Sequence, residues 1–302
     1  MGHIKTVLLV VNPISGDIDK SDLIELVKKE TIKLNARLII FQTSGGKDDI
    51  SLEKIINIEN PSRIIVAGGD GTIKFVAEAL HDKKIPMGII PAGSANGLAV
   101  NLNLPPTLEE QLETALGENF LEMDIISIND EFCLHMGDFG LNAELIKNYS
   151  KSKVRGKLGY LLQSIPTLVE SEYPFEFQIE VNNRTINTQG ILLAIANARS
   201  YGTGATVNPN GQINDGLFEL LLFKNLNFFE ILKTLRNEVD LDPEFLETIV
   251  TDKARISCSY PVAFQIDGEY LGEYQSVSVS ILPHQIQLAV PLKKVVEEKL
   301  LL

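Results

Sequence analysis

The residue run best suited to chemistry follows a short apolar stretch in the first third of the chain. Gly68-Gly69-Asp70-Gly71-Thr72 separates that stretch from the start of a helical pattern. Glycines let the backbone approach a phosphate closely, and the free N–H groups of a following helix attract anions. A tight turn capped by Asp or Thr is the alternative. Three glycines around one acid favour the phosphate-binding interpretation.

Two more loops rich in small and polar residues follow apolar runs in the same half. They are Asn12-Pro13-Ile14-Ser15-Gly16 and the segment 91–97, Pro-Ala-Gly-Ser-Ala-Asn-Gly. Either loop alone would be an ordinary turn. Ligands of open α/β sheets bind where the carboxyl ends of parallel strands meet, so the three loops together predict a cleft for a phosphorylated nucleotide. Thr43, just past the second apolar run, is expected at the same edge.

The elements that must position these loops alternate along the first third of the chain. Apolar runs at Thr6–Val11, Arg37–Phe41, Arg63–Ala67 and Met87–Ile90 are separated by helical patterns such as Asp22–Leu34. Strands that alternate with helices predict a parallel sheet with helices on its faces.

After about residue 125 the pattern changes to alternation with a period of two. Phe175–Val181 and Ser276–Ile281 both alternate, Asn182-Asn183 reads as a hairpin turn, and two helical patterns cover 157–170 and 228–238. Such alternation is typical of half-buried antiparallel strands. We therefore predict an α/β nucleotide-binding domain with a parallel sheet over residues 1–125 plus 291–302. A mostly antiparallel, β-sandwich-like cap or substrate domain is predicted over 126–290.

Composition limits the partners of the chain. Its 302 residues carry 27 basic and 40 acidic side chains, a net charge of −13, which disfavours nucleic acid as a ligand and anionic membranes except at a local patch. Cys133 and Cys258 form no spaced pair, so we expect a reducing compartment. No secretory signal and no spanning apolar run is recognisable, and we expect a cytoplasmic protein. His135, among apolar neighbours, is expected in the core. The oligomeric state stays open, a homodimer included.

The order of the motifs resembles the diacylglycerol kinase catalytic family, which includes bacterial lipid kinases and sphingosine and ceramide kinases. The loops at 12–16 and 68–72 carry the resemblance in the first half, together with Gly93-Ser-Ala-Asn96. The second half adds Gly137-Asp-Phe-Gly140, Tyr201-Gly-Thr-Gly204, Asn214-Asp-Gly-Leu217 and Asp267-Gly-Glu269.

The resemblance implies an ATP-dependent lipid kinase that uses Mg²⁺ and phosphorylates a hydroxyl of diacylglycerol or a related lipid. It implies nucleotide contacts by Asn12, Pro13, Ile14, Ser15, Gly16, Thr43, Gly68, Gly69, Asp70, Gly71, Thr72 and Ser94. It implies a magnesium site formed by Asp215 and the backbone oxygens of Gln212 and Leu217. Asp70 would organise the metal and phosphates, and Glu269 would be the general base. These roles suit phosphoryl transfer, which needs positioning, a cation and one base.

The residues themselves leave simpler interpretations open. On the sequence alone, Asp215 before Gly216 reads first as a β-turn acid, and Asp267-Gly268 as a plain hairpin turn. The chain also departs from the family pattern, with Lys74 and Phe75 where Asn-Glu is common and Gly97 where Asp is usual. These departures keep a non-catalytic nucleotide or lipid sensor open. An NAD kinase, which shares a Gly-Gly-Asp-Gly loop, is a further alternative.

A cluster of basic residues without an intervening acid interrupts this acidic chain. It consists of Lys147, Lys151, Lys153, Arg155 and Lys157. A solvated helix end is one interpretation. A patch for anionic headgroups is the other, since each cation near such a surface contributes about 1 kcal/mol. The second interpretation predicts a peripheral contact at the inner face of a membrane.

Overall fold

The computed structural model describes residues 4–16, 19–46, 48–151, 174–201, 205–227, 230, 233 and 241–294. The chain divides into two compact units. Unit 1 comprises 1–123 with 284–302, and unit 2 comprises 124–283. The sequence places the corresponding boundaries at 125 and 290. Within the described residues, no helix is long and apolar enough to cross a membrane.

Unit 1 contains a parallel sheet with helices between its strands. The strands are β1 (Thr6–Val11), β2 (Arg37–Gln42), β3 (Arg63–Gly68) and β4 (Met87–Pro91). The helices are α1 (Ser21–Lys33), α2 (Asp48–Glu59), α3 (Asp70–Ala79), α4 (Gly97–Asn101) and α5 (Leu108–Leu116). The order across the sheet is β2-β1-β3-β4, and every pairing in it is parallel. The four predicted strands are confirmed to within one residue at their ends.

The apolar runs form strands in the middle of this sheet because helices cover them. All six residues of β3 are buried, and five of the six in β1. Leu23 and Val27 of α1 and Leu112 of α5 pack on Val7, Leu9 and Ile65 in one cluster. Each fully buried aliphatic side chain stabilises the fold by roughly 1.5–3 kcal/mol. The rigid core thus fixes the positions at which the strands end.

Unit 2 is built mainly from antiparallel strands. Its strands begin with β5 (Phe120–Ile128), β6 (Glu131–Cys133), β7 (Met136–Gly140), β8 (Phe175–Val181) and β9 (Arg184–Gly190). They continue with β10 (Leu192–Ala196), β11 (Ser200–Tyr201), β12 (Ala205–Thr206), β13 (Phe218–Phe223), β14 (Leu246–Thr251), β15 (Lys253–Ile266) and β16 (Glu269–Ala289). The first four residues of β5 and the segment 284–289 of β16 belong to unit 1. Helix α6 (Leu141–Lys151) follows β7 directly. The hydrogen-bonded order is β14-β13-β10-β7-β15-β16, with β8 on β15 and β9 on β8.

The alternating sequences of unit 2 behave as predicted. β8 alternates buried and exposed residues along its whole length and pairs with β9 across the Asn182-Asn183 turn. Its inward residues join a core around Phe139, Phe218 and Phe264. The fold class, a parallel α/β unit followed by an antiparallel β-rich unit, is therefore confirmed. His135 is buried, as expected. The predicted helix at 157–170 lies outside the described residues. So do all but residues 230 and 233 of the predicted helix at 228–238, and residues 295–302 of the predicted α/β domain.

Candidate functional site

Three loops of unit 1 are in backbone contact beyond the ends of β1, β3 and β4. A Cβ placed on Gly93 would lie 2.4 Å from the Cα of Gly69, and one on Gly16 would lie 2.7 Å from the carbonyl oxygen of Ala92. Gly16 also has a φ of +60°, which L side chains rarely adopt. Larger residues would push the loops apart. The structure therefore brings together the loops at 12–16, 68–72 and 91–97.

Asn12 links the first loop to the glycine loop. Its Nδ2 donates to Thr72 Oγ1 at 3.2 Å, and its Oδ1 accepts from the N–H of Ile14 at 3.1 Å. Ser15 Oγ donates to the Asn12 carbonyl oxygen at 3.1 Å. Pro13 and Ile14 are exposed at the edge of the sheet. The loop is thus held by one amide side chain while its tip faces outward.

Asp70 is tied to the third loop. Its carboxylate accepts hydrogen bonds from the N–H groups of Gly97 at 2.9 Å and Leu98 at 3.1 Å, at the start of α4. A carboxylate at that position satisfies amide donors that a helix start leaves free. Gly97 is buried here and supplies one of these donors. In this structure Asp70 therefore fixes the 91–97 loop, and its predicted role toward metal and phosphates remains a prediction.

Two other predicted contact residues lie at the same edge of the sheet. The Thr43 N–H donates to the Val11 carbonyl oxygen at 2.9 Å, which joins the ends of β2 and β1. Ser94 is exposed at the tip of the third loop.

Sequence reasoning missed Lys20, a buried cation beside the first loop. Its Nζ donates to the Ser15 carbonyl oxygen at 2.8 Å, and burial lowers its pKa. Lys20 occupies the N-cap position of α1 without a side-chain capping hydrogen bond, at the end of a helix that disfavours a positive charge. That mismatch is the sequence signal that could have identified it.

The predicted metal ligands of unit 2 lie on one turn before β13. Asp215 Oδ1 accepts from the Leu217 N–H at 3.0 Å, and the Gly216 N–H donates to Asp124 Oδ2 at 2.7 Å. The side-chain oxygens of Gln212 and Asn214 are buried without a hydrogen-bond partner in the part of the chain that the structure describes. Unpartnered amide oxygens beside a carboxylate have the hard-oxygen character that Mg²⁺ prefers.

This turn fits a magnesium ion better than a softer metal. No three His, Cys, Asp or Glu side chains come together to hold a metal among the described residues. A cation at this turn would therefore rely on Asp215 with amide and backbone oxygens. The donor set fits the implied Mg²⁺.

A buried glutamate supports the same turn. Glu219 Oε2 accepts from Asn208 Nδ2 at 2.7 Å. Burial raises the pKa of Glu219 to about 7, the Asn208 hydrogen bond lowers it and the charge of Asp215 raises it further. Asn208 is itself confined, since a Cβ on Gly211 would lie 2.3 Å from its Nδ2. The segment before Asp215 is thus packed tightly.

Glu269 follows the two-residue turn between β15 and β16. Ile266 pairs with Glu269, and Asp267 and Gly268 both have positive φ, +51° and +86°. These values are typical of a type I′ hairpin turn. The Glu269 side chain is exposed. The predicted hairpin is confirmed, whereas the role of Glu269 as a base remains a prediction.

The basic cluster is only partly described. Lys147 Nζ contacts Glu273 Oε1 at 2.9 Å and lies 5.5 Å from the ring centroid of Tyr270. The hydrogen bond to Glu273 is the main cause of its raised pKa. Lys151 is the last residue of α6, and Lys153, Arg155 and Lys157 lie outside the described residues. The charge of Lys147 is thus paired with that of Glu273. The membrane patch remains a prediction.

Unit 2 also contains an apolar cavity beside α6, with a volume of about 250 Å³. Its wall is almost entirely hydrophobic, with Asn142 as its polar member. The other lining residues include Met136, Leu141, Leu145, Ile191, Phe223 and Phe245. Such a wall suits an aliphatic chain.

Comparison with known protein families covers most of the chain. The family described as "Diacylglycerol kinase catalytic domain" matches residues 6–128. The family described as "YegS C-terminal NAD kinase beta sandwich-like domain" matches residues 138–290. The two matches together contain every loop discussed above.

Similar proteins extend over nearly the same length. "Probable lipid kinase YegS" of Escherichia fergusonii is 29% identical over 303 residues, covering 96% of this chain and 98% of that protein. The protein of the same name from Salmonella newport is 26% identical, with coverage of 96% and 98%.

Solved structures share the fold. A diacylglycerol kinase from Bacillus anthracis is 18% identical with a TM-score of 0.73, covering 97% of this chain and 99% of that one. An NAD kinase from Archaeoglobus fulgidus in complex with ATP is 13% identical with a TM-score of 0.56, and 96% of each chain is covered.

Proposed function

Because this chain belongs to the diacylglycerol kinase catalytic family, we propose that it transfers the γ-phosphate of ATP to a hydroxyl group of a lipid. The observation that carries the proposal is the contact among the three loops of unit 1. Gly69 and Gly93 approach so closely that a Cβ on Gly93 would lie 2.4 Å from the Cα of Gly69, and a Cβ on Gly69 would lie 3.1 Å from the Cα of Gly93. Loops of this kind expose backbone N–H groups to phosphates at the carboxyl edge of a parallel sheet.

The apolar cavity of unit 2 supports an acceptor that carries an acyl chain. Its aliphatic and aromatic wall, with Asn142 as the polar member, offers few hydrogen-bond partners to the hydroxyl groups of a sugar or to a nucleotide. Diacylglycerol and related lipids have the hydrocarbon chain that such a cavity takes and the hydroxyl group that the reaction needs. We therefore place lipids ahead of NAD as acceptors, since the similarity to NAD kinase extends to the fold alone.

The residues present suggest how the transfer would proceed. The loops at 12–16, 68–72 and 91–97 would hold the triphosphate, and Asp70 would keep the third loop in place. Asp215 and the oxygens around it would hold Mg²⁺, which when bound neutralises charge on the transferred phosphoryl group. Glu269 would take the proton from the acceptor hydroxyl, because an alcohol keeps its proton near neutral pH. Phosphoryl transfer needs little more than this positioning.

The experiment is a phosphorylation assay on the full chain with and without Glu269→Gln. Wild-type protein is given ATP, Mg²⁺ and diacylglycerol, monoacylglycerol, phosphatidylglycerol, sphingosine or NAD. We expect a lipid to be phosphorylated, and Glu269→Gln to lower kcat by about 10²–10⁴-fold. ATP affinity, measured by calorimetry, should not change.

The outcomes separate the remaining alternatives. A wild-type protein that binds ATP tightly but phosphorylates no acceptor would be a sensor rather than a kinase. Phosphorylation of NAD alone would mean that the acceptor is a dinucleotide and not a lipid. Loss of ATP binding in Glu269→Gln would mean that Glu269 contacts the nucleotide and not the acceptor. Glu176→Gln, an exposed carboxylate on β8, is the matched control.

We further propose that the protein works in the cytoplasm and reaches its lipid by peripheral contact through the basic cluster at 147–157. The segregation of five cations in a chain of net charge −13 supports this contact.

A further inference from the structure

The turn that carries Glu269 is fastened to a neighbouring strand segment. The Asp267 carboxylate accepts hydrogen bonds from the N–H groups of Leu134 at 2.8 Å, His135 at 2.8 Å and Met136 at 3.3 Å. The Asp267 N–H donates to the Met136 carbonyl oxygen at 2.9 Å. Hydrogen bonds to a charged acceptor are stronger than neutral ones. The first residue of the turn is therefore firmly placed.

The second residue of the turn is held by a buried side chain. Gln265 is fully buried, and its Oε1 accepts from the Gly268 N–H at 2.7 Å. Its Nε2 donates to Asp138 Oδ2 at 2.5 Å. Asp138 is also fully buried, and the same oxygen accepts from Asn142 Nδ2 at 2.6 Å. We call this chain, Asn142–Asp138–Gln265–Gly268, the turn network.

The turn network ends at the residue immediately before Glu269. Within the described residues the Glu269 side chain makes no hydrogen bond or ion pair, and it is exposed. Its location therefore depends on where its own backbone is held. Burying a carboxylate costs free energy unless the carboxylate is paired. A turn whose only function was to connect β15 and β16 would be served as well by apolar residues in place of Asp138 and Gln265.

We propose that Asp138 and Gln265 are positioning residues for Glu269, which they hold in place through the Gly268 amide. The proposal rests on the proposed function, in which Glu269 is the base. Misplacing a reacting group by about 1 Å can lower a rate by about 10²-fold. The raised pKa of Asp138, about 7, reflects the burial that this arrangement requires.

The first test removes the link at Gln265. Gln265→Met keeps the length of the side chain but loses its hydrogen bonds to Gly268 and Asp138. We expect kcat for lipid phosphorylation to fall about 10–100-fold. The KM for ATP should stay within a factor of about two, because Glu269, which the turn network positions, acts on the acceptor hydroxyl. Gln178→Met, on the exposed face of β8, is the matched control and should behave as wild type.

Two further arms separate positioning from a general loss of fold. In a Glu269→Gln background, Gln265→Met should lower kcat no further, since the residue it positions has lost its function. Asp138→Asn, which keeps an oxygen acceptor for both donors, should recover most of the activity that Asp138→Ala removes. The proposal would be overturned if Gln265→Met lowered kcat as much in the Glu269→Gln background as in wild type. It would also be overturned if Asp138→Asn were no more active than Asp138→Ala.

A further experiment tests the hydrogen bonds of the turn network without depending on kinase activity. Hydrogen exchange at the Gly268 amide should be faster in Gln265→Met than in wild type, and unchanged in Gln178→Met. Unchanged exchange together with unchanged kcat would refute the link. A wild type that phosphorylates no lipid would instead refute the proposed function, while the exchange result still stands. Should Gln265→Met not fold, Asn142→Ala removes the far donor and should shift both readouts in the same direction.

Discussion

Asp138 gives the sharpest prediction about stability. Burial raises its pKa from 3.8 to about 7, and the hydrogen bonds from Asn142 and Gln265 offset part of that rise. Between these pH values the folded protein keeps a proton that the unfolded chain has lost. Stability from this group is therefore complete below pH 4 and declines as the pH rises through 7. The full shift corresponds to about 4 kcal/mol, as an order of magnitude.

The perturbation is Asp138→Asn, which cannot ionise. We expect the free energy of unfolding of the variant, relative to wild type, to rise by about 2 kcal/mol between pH 5.5 and 8.5. Any constant effect of the amide cancels in this comparison, because it is the same at each pH. Glu219, whose pKa is also raised to about 7, is present in both proteins and cancels too.

The assay is urea denaturation at half-unit steps over that range. It begins above the isoelectric point of 4.8, where the protein carries enough charge to stay in solution. Glu180→Gln, an exposed carboxylate on β8, is the control and should show no pH-dependent difference. A flat difference for Asp138→Asn would mean that the pKa of Asp138 in the folded protein lies below the tested range, as it would for a normal or a depressed pKa. That result would refute the reasoning.

Three shorter predictions follow from the site. Gly93→Ala should destabilise the protein by about 1–3 kcal/mol and weaken ATP binding, because its Cβ would lie 2.4 Å from the Cα of Gly69. Gly71→Ala, at a helical position of α3 with open space around it, should not lower the free energy of unfolding. Asp70→Asn keeps only one oxygen for two amide donors, so it should raise hydrogen exchange in the 91–97 loop and remove most turnover; wild-type kcat would contradict this. Lys147→Ser should weaken sedimentation with anionic liposomes less than the triple change of Lys151, Lys153 and Arg155 to Ser does, because Glu273 already neutralises the charge of Lys147. Equal losses would count against this difference, and unchanged binding in all variants would contradict the patch.

Much of the fold could be predicted because its signals are local. The strands of unit 1 are continuous apolar runs, and each ends where the glycines and polar residues begin. The alternation of apolar and polar residues along Phe175–Val181 predicts which residues face the core. Helix α6 was missed because it starts immediately after the buried strand 136–140, with no capping residue or loop to announce it. Gly140, at φ +98°, makes that change of direction within one residue.

The candidate site was predictable in its motifs but not in its contacts. The glycine loops are visible in the sequence, whereas the bond from Asp70 to the backbone of Gly97 joins residues 27 positions apart. Asp138 lies in the Gly137-Asp-Phe-Gly140 motif and Gln265 just before Asp267-Gly-Glu269, but neither motif indicates that these two residues, 127 positions apart, form a hydrogen bond. Lys20 had a local signal, a cation at a helix start, that the pattern of apolar residues obscured.

The long strand β16 has a consequence for the order in which the chain folds during synthesis. Its first part pairs with β15 in unit 2, whereas Leu288 near its end pairs with Met87 of β4, and the Val290 N–H donates to Asn119. The first 123 residues therefore leave the ribosome without the strand that covers the β4 edge. Pairings so distant in sequence form late, and an open strand edge invites association with other chains. A nascent or truncated chain that stops before residue 284 should accordingly depend on chaperones more than a chain that includes all of β16 does.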